Sequence, residues 1–143
     1  MNKEQFLAMS LPYGLKCHFD GNSFDIIGIF KTVRLSYKPF GNISVSVNNC
    51  KPILHPLSDL TKPIEHKGEK FMPIKKLWEM NGGGNIYIQD DSVGIHNGYV
   101  CAYDLNDALK FVFVLIEWHF DICGLIEKGE AIDVNTLPEN PYK

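Results

Sequence analysis

Three side chains able to do chemistry crowd into one short stretch, "LIEWHFDICGLIEKG" at 115–129: His119, Asp121 and Cys123. A thiol beside an imidazole supplies a nucleophile and its base, or two ligands for a metal. An imidazole beside a carboxylate supplies a general base and the group that orients it. Which of these chemistries is open depends on the element that carries the residues.

Spacing and capping predict a helix from about 106 to 128. Asp104 or Asn106 can cap its start, Lys128 sits in its last turn, and Gly129 follows its end. On such a helix Asn106, Asp107, Lys110, Glu117, Asp121 and Lys128 share a polar side. Ala108, Val112, Leu115, His119, Ile122 and Ile126 share the apolar side. His119 and Asp121 then point nearly opposite ways, which excludes a dyad between them. His119 and Cys123, four apart on the apolar face, remain the candidate nucleophile–base or metal-ligand pair. The simpler expectation is a buried imidazole beside a cysteine acting as a small hydrophobe. Phe113, Val114 and Phe120 interrupt the polar side, so the helix is either wrapped by its own domain or offers that face to a partner or a second copy.

The rest of the chain reads as short elements. "NKEQFLAMS" at 2–10 predicts a helix capped by Asn2 and stopped by Pro12 and Gly14. "LKCHF" at 15–19 and "SFDIIGIFKTVRLSYK" at 23–38 predict a hairpin about "DGN", with positive φ at Gly21 and Asn22. "NISVSVNN" at 42–49 alternates like a further strand. Three prolines in "CKPILHPLSDLTKPI" predict an extended connector with a turn at "PLSD", with no long helix or central strand. "IEHKGEKFMPI" predicts a hairpin about Lys67-Gly68. "PIKKLWEM" predicts a short helix with Ile74, Leu77 and Trp78 on one side, ended by Gly82. Asn97-Gly98 predicts another hairpin turn. "NGGGN" at 81–85 is not a phosphate loop, because no lysine follows the glycines. His18, His55, His66 and His96 fall at turns, between prolines or on a hairpin and single out no site; Asp90-Asp91 lacks a third ligand nearby.

Composition narrows the class. Apolar residues make 45% and charged residues 22% of 143 residues, as in ordinary globular domains. Residues 1–76 hold 11 Lys/Arg and 6 Asp/Glu, and residues 77–143 hold 3 and 11. A basic first half of this kind ranks a nucleic-acid role third, since no reader motif accompanies it. The four cysteines lack any C-x-x-C pair, and with no export signal they are expected to be reduced and mostly buried. No cofactor and no metal site is expected, and residence in the cytoplasm is.

Two blocks, "KPILHPLSDLTKPIEHKGEKFMPI" at 51–74 and "WHFDICGLIEKGEAIDVNTL" at 118–137, resemble small uncharacterised proteins encoded by phages and prophages of gut Bacteroidetes. The first fifty residues carry none of the resemblance. It implies a virus-related context in a bacterial host cytoplasm and brings no activity, cofactor or catalytic residue. The whole reading is one α+β domain over 1–143. A mostly antiparallel, hairpin-built sheet packs against one long C-terminal helix, with short N-terminal and mid-chain helices. The leading function is a non-enzymatic accessory or interaction protein. A small enzyme or metal binder using Cys123 and His119 is the alternative.

Overall fold

Two-residue turns set the sheet. Asp20 and Gly21 both take positive φ (48° and 76°), as a tight hairpin between right-twisted strands requires, and Lys67 and Gly68 do the same (51° and 79°). In the first turn the second left-handed residue is therefore Gly21, preceded by Asp20. Asn22, expected to bend, already pairs with Phe19. The computed structural model of the chain describes residues 1–30, 32–36, 41–80, 86–88, 100–102 and 105–143. The expected turn at Asn97-Gly98, the 81–85 loop, Asp90-Asp91, His96 and the candidate cap Asp104 lie outside them.

Helix α1 (Lys3–Ser10) starts at Asn2, whose side chain accepts from the Gln5 amide while Gln5 returns a bond to the Asn2 amide. Strands β1 (Lys16–Phe19), β2 (Asn22–Phe30), β3 (Thr32–Ser36) and β4 (Asn42–Val45) follow as successive antiparallel neighbours. The run at 23–38 is thus two strands, with Phe30 paired to Thr32 across the reversal. In β3 Val33 and Leu35 are buried between exposed Thr32 and Arg34, the alternation of a half-buried strand.

The proline-rich block departs from expectation. Lys51–Leu54 forms β5, an interior strand between antiparallel β1 and a later parallel strand. Pro52 is tolerated because the ladder to β1 ends at it and the parallel ladder begins one residue later, so the missing N–H falls between two short pairings. Burial on both faces replaces alternation: Leu54 enters the main core and Ile53 a separate cluster with Val134 and Tyr142. A 3-10 turn at Leu57–Thr61 leads to β6 (Ile64–His66) and β7 (Glu69–Phe71), the expected hairpin.

Helix α2 (Pro73–Met80) begins on a proline as expected, and it buries Ile74 and Leu77. Trp78 does not share that side, being 46% exposed. Strands β8 (Ile86–Ile88) and β9 (Val100–Ala102) pair antiparallel. Helix α3 (Leu105–Glu117) precedes β10 (Ile132–Asp133), which completes a mixed six-stranded sheet ordered β10-β5-β1-β2-β3-β4.

Helix α3 has 13 residues, and the long helix to 128 does not form. His119 takes φ 60°; its amide donates to the Ile116 carbonyl, and the Phe120 amide donates to that of Leu115. This is a Schellman closure with histidine where glycine is usual. Phe120 and Leu115 meet in one apolar cluster, the contact that accompanies such a closure. Gly129 does stop a helical turn, but a separate one: its amide donates to Ile126, and Glu130 donates to Leu125. The main core joins α1 (Phe6, Leu7), the sheet (Cys17, Ile26, Val33, Leu35, Leu54) and Ile116 of α3.

Candidate functional site

The break at His119 redirects every candidate in the opening stretch. Immediately after α3 the chain runs beside residue 55: the His55 amide donates to the His119 carbonyl at 2.8 Å, and the Asp121 amide donates to the His55 carbonyl at 2.9 Å. A parallel bridge between His55 and Phe120 results.

Asp121, expected on a wet face, is 5% exposed. Its carboxylate accepts from the Leu125 and Ile126 amides at 2.9 and 2.8 Å, capping the turn that Gly129 closes. Phe120, expected on a partner face, is fully buried because the bridge turns it inward. His119 is buried as expected, although by the bend and not by a helical face. Neither of its ring nitrogens has a hydrogen-bond partner, so neither the Asp121 dyad nor a bond to Cys123 forms.

Cys123 is partly buried and packs against the main core. Burial, then the nearby Asp121 charge, raises its thiol pKa, opposite to the depression a reactive thiolate needs. Cys17 and Cys50 are fully buried free thiols; the hydrogen bond with Cys50, then burial, pushes the Cys17 thiol upward. Iodoacetamide is therefore expected to modify Cys123 slowly and before Cys17 and Cys50, which react only on unfolding. Mass mapping of the alkylated protein checks the order, and rapid stoichiometric labelling of Cys123 at neutral pH would restore it as a nucleophile.

The histidines that single out no site in the sequence converge in space. His66 of β6 lies edge-on to His119 with ring centroids 5.2 Å apart, and Tyr142 stacks on His119 at 4.2 Å. Both nitrogens of His66 also lack partners. Burial, then the positive charge of nearby Lys67, lowers His66 to about 4. Burial, then His66 itself, lowers His119 to about 2. Burial thus favours the neutral form of both rings.

His55 is held differently. Its Nδ1 lies 3.4 Å from Asp59 Oδ2, which also accepts from Asn135 Nδ2 at 2.7 Å. Lys62 Nζ reaches the other Asp59 oxygen at 3.3 Å. Burial lowers the His55 pKa against the opposing pull of Asp59. These residues, with Glu65 and Asn140, line a polar cleft of about 150 Å³. Local sequence gave no signal for the convergence, because residues 55, 66, 119 and 142 come from four separate segments.

Among the described residues no three His, Cys, Asp or Glu side chains are grouped to hold a metal ion, and no helix is long and apolar enough to cross a membrane.

A second surface lies between α2 and α3. Leu77, Met80, Phe111, Phe113 and Val114 line an apolar groove of about 260 Å³, with Lys110 the one charged lining residue among the described residues. Phe113 and Met80 are 45% and 58% exposed. The fold and these sites define a small α+β protein with an interior histidine cluster and an apolar helical groove. Comparison with protein-family models, curated proteins and solved structures finds no match.

Proposed function

We propose that the protein acts by binding another protein, as a phage- or prophage-encoded accessory factor in a bacterial cytoplasm. The observation that carries the binding reading is the α2/α3 groove, whose walls expose Phe113 and Met80 instead of burying them. Two helices framing an apolar trough fit the helix-in-groove mode of recognition. The occupant is an amphipathic helix of the partner, with apolar residues at three- and four-residue spacing. An acidic side chain on it meets Lys110 of the groove lining. The phage context rests on the sequence resemblance alone.

The α2/α3 face retains Phe113 and Val114 from the expected interaction patch and replaces buried Phe120 with Leu77, Met80 and Phe111. Catalysis by Cys123 and His119 has less support, given the raised thiol and the unbonded imidazole.

Phe113→Asp places a charge in the groove. It is expected to abolish retention of a partner that wild type holds, while Ile27→Asp, at an exposed apolar position of β2, leaves retention intact. Cross-linking from position 113 should map to an apolar helical segment of the retained protein. Equal retention by all three proteins would overturn the reading, and self-association abolished by Phe113→Asp would make the occupant a second copy.

A further inference from the structure

The segment after β10 runs without helix or strand from Leu137 to Lys143. Asn140 Nδ2 donates to the Glu65 carbonyl at 2.8 Å, and the Lys67 amide donates to the Tyr142 carbonyl at 2.6 Å. The Tyr142 hydroxyl donates to the Ile53 carbonyl at 2.7 Å and accepts from the Lys16 amide at 3.0 Å. Through these bonds the strap lays the Tyr142 ring over His119 and His66, at 4.2 and 6.1 Å between centroids.

We propose that the Asn140–Tyr142 strap is an acid-released latch: protonation of His66 and His119 beneath the Tyr142 ring displaces it and widens the polar cleft that His55, Asp59 and Asn140 line. This is independent of the α2/α3 groove.

The geometry supplies the reason. A proton on either ring has no hydrogen-bond acceptor, because all four nitrogens lack partners. The charges acting on the pair are of the wrong sign: Lys67 of the β6–β7 turn and the His55 imidazole disfavour a cation on either ring, Lys76 of α2 disfavours one on His66, and Lys16 of β1 and His66 itself disfavour one on His119. The carboxylates of Asp59 and Asp133 act on His55 instead. A charged ring therefore needs water, and the strap is the cover held by a few isolated bonds, while β6, β5 and α3 are held by ladders or helix. Opening lets each histidine recover an ordinary affinity for protons. The open fraction should then rise roughly 20-fold per histidine between pH 7 and pH 5, since the closed rings stay neutral over that range.

Amide hydrogen exchange, corrected for the intrinsic pH dependence, reads this directly. The Lys16 and Lys67 amides are expected to lose protection on going from pH 7 to pH 5, while those of Val33 and Leu35, paired within β3, keep theirs. His66→Phe keeps an aromatic ring and removes one proton site, and should cut the pH effect by about 20-fold. Protection of Lys16 and Lys67 that is flat with pH, or lost in step with β3, overturns the latch. If His66→Phe does not fold, imidazole resonances of the wild-type protein decide. A titration of His119 or His66 near pH 6.5 with the strap amides still protected also overturns it, and titration coincident with their loss of protection supports it.

Discussion

Asp121→Ala is expected to lower folding stability by about 3–5 kcal/mol. The carboxylate is 5% exposed and accepts two backbone amides, those of Leu125 and Ile126. Truncation removes the acceptor of both donors and leaves that of Leu125 unsatisfied in the interior, while the half-buried Ile126 amide exchanges a charged acceptor for a weaker one. The consequence spreads beyond the turn, because Leu125 is 2% exposed and packs in the main core, and Ala131 beyond it leads into β10. Asp121→Asn keeps one acceptor oxygen and should recover roughly half of the loss. Urea denaturation measures both. A midpoint for Asp121→Ala within error of wild type would show that the turn forms without its cap.

His119 gives the second large effect, and it comes with a pH signature. Its ring is fully buried against His66 and Tyr142. His119→Ala should cost about 2–4 kcal/mol at pH 7 through the cavity left behind. His119→Leu retains the volume and should remain within about 1 kcal/mol of wild type, although the left-handed backbone at φ 60° favours neither replacement. Burial holds the folded pKa at about 2, below the ordinary value of an unfolded histidine. The unfolded chain therefore binds the extra proton. Stability from this group is fully present above about pH 6.5 and falls by about 1.4 kcal/mol per pH unit below it while the strap stays closed over the ring. His119→Leu should remove that slope, leaving a flatter stability profile between pH 7 and pH 5. An unchanged slope in the leucine variant would locate the proton uptake in other groups.

Both effects originate at one bend, and the bend shows where local reading stops working. The start of α3 is visible in the sequence, and the glycine at 129 does close a turn. The described residues that α3 buries are Phe111 and Ile116, however, while Ala108, Val112 and Leu115 of the expected stripe stay half-buried. The interruption at His119 is not visible in the sequence, because a histidine in the left-handed region carries no strong local mark. It is tolerated more often there than branched residues, and what fixes it is the packing of Phe120 on Leu115 and the bridge to His55. Once the helix ends there, Asp121 passes from a wet face to a buried cap, and Phe120 from a partner face to the core. Pro52 makes the same point in the sheet. Proline disfavours an interior strand for a sound reason, yet a strand of four residues with its two ladders staggered about the proline loses little.

Local physics alone determined the elements whose hydrogen bonds close within a few residues. The Asn2 capping box, the Asp20-Gly21 and Lys67-Gly68 hairpins, the alternation of β3 and the proline start of α2 all follow from side chains acting on their own neighbourhood. Tertiary structure decided whatever required partners far along the chain. The parallel pairing of β10 with β5 joins residues about eighty positions apart, and the histidine cluster gathers residues 66 and 119 beneath Tyr142. A residue's type sets what chemistry it can do, but burial sets its charge state, and burial here depends on which distant segments happen to cover it.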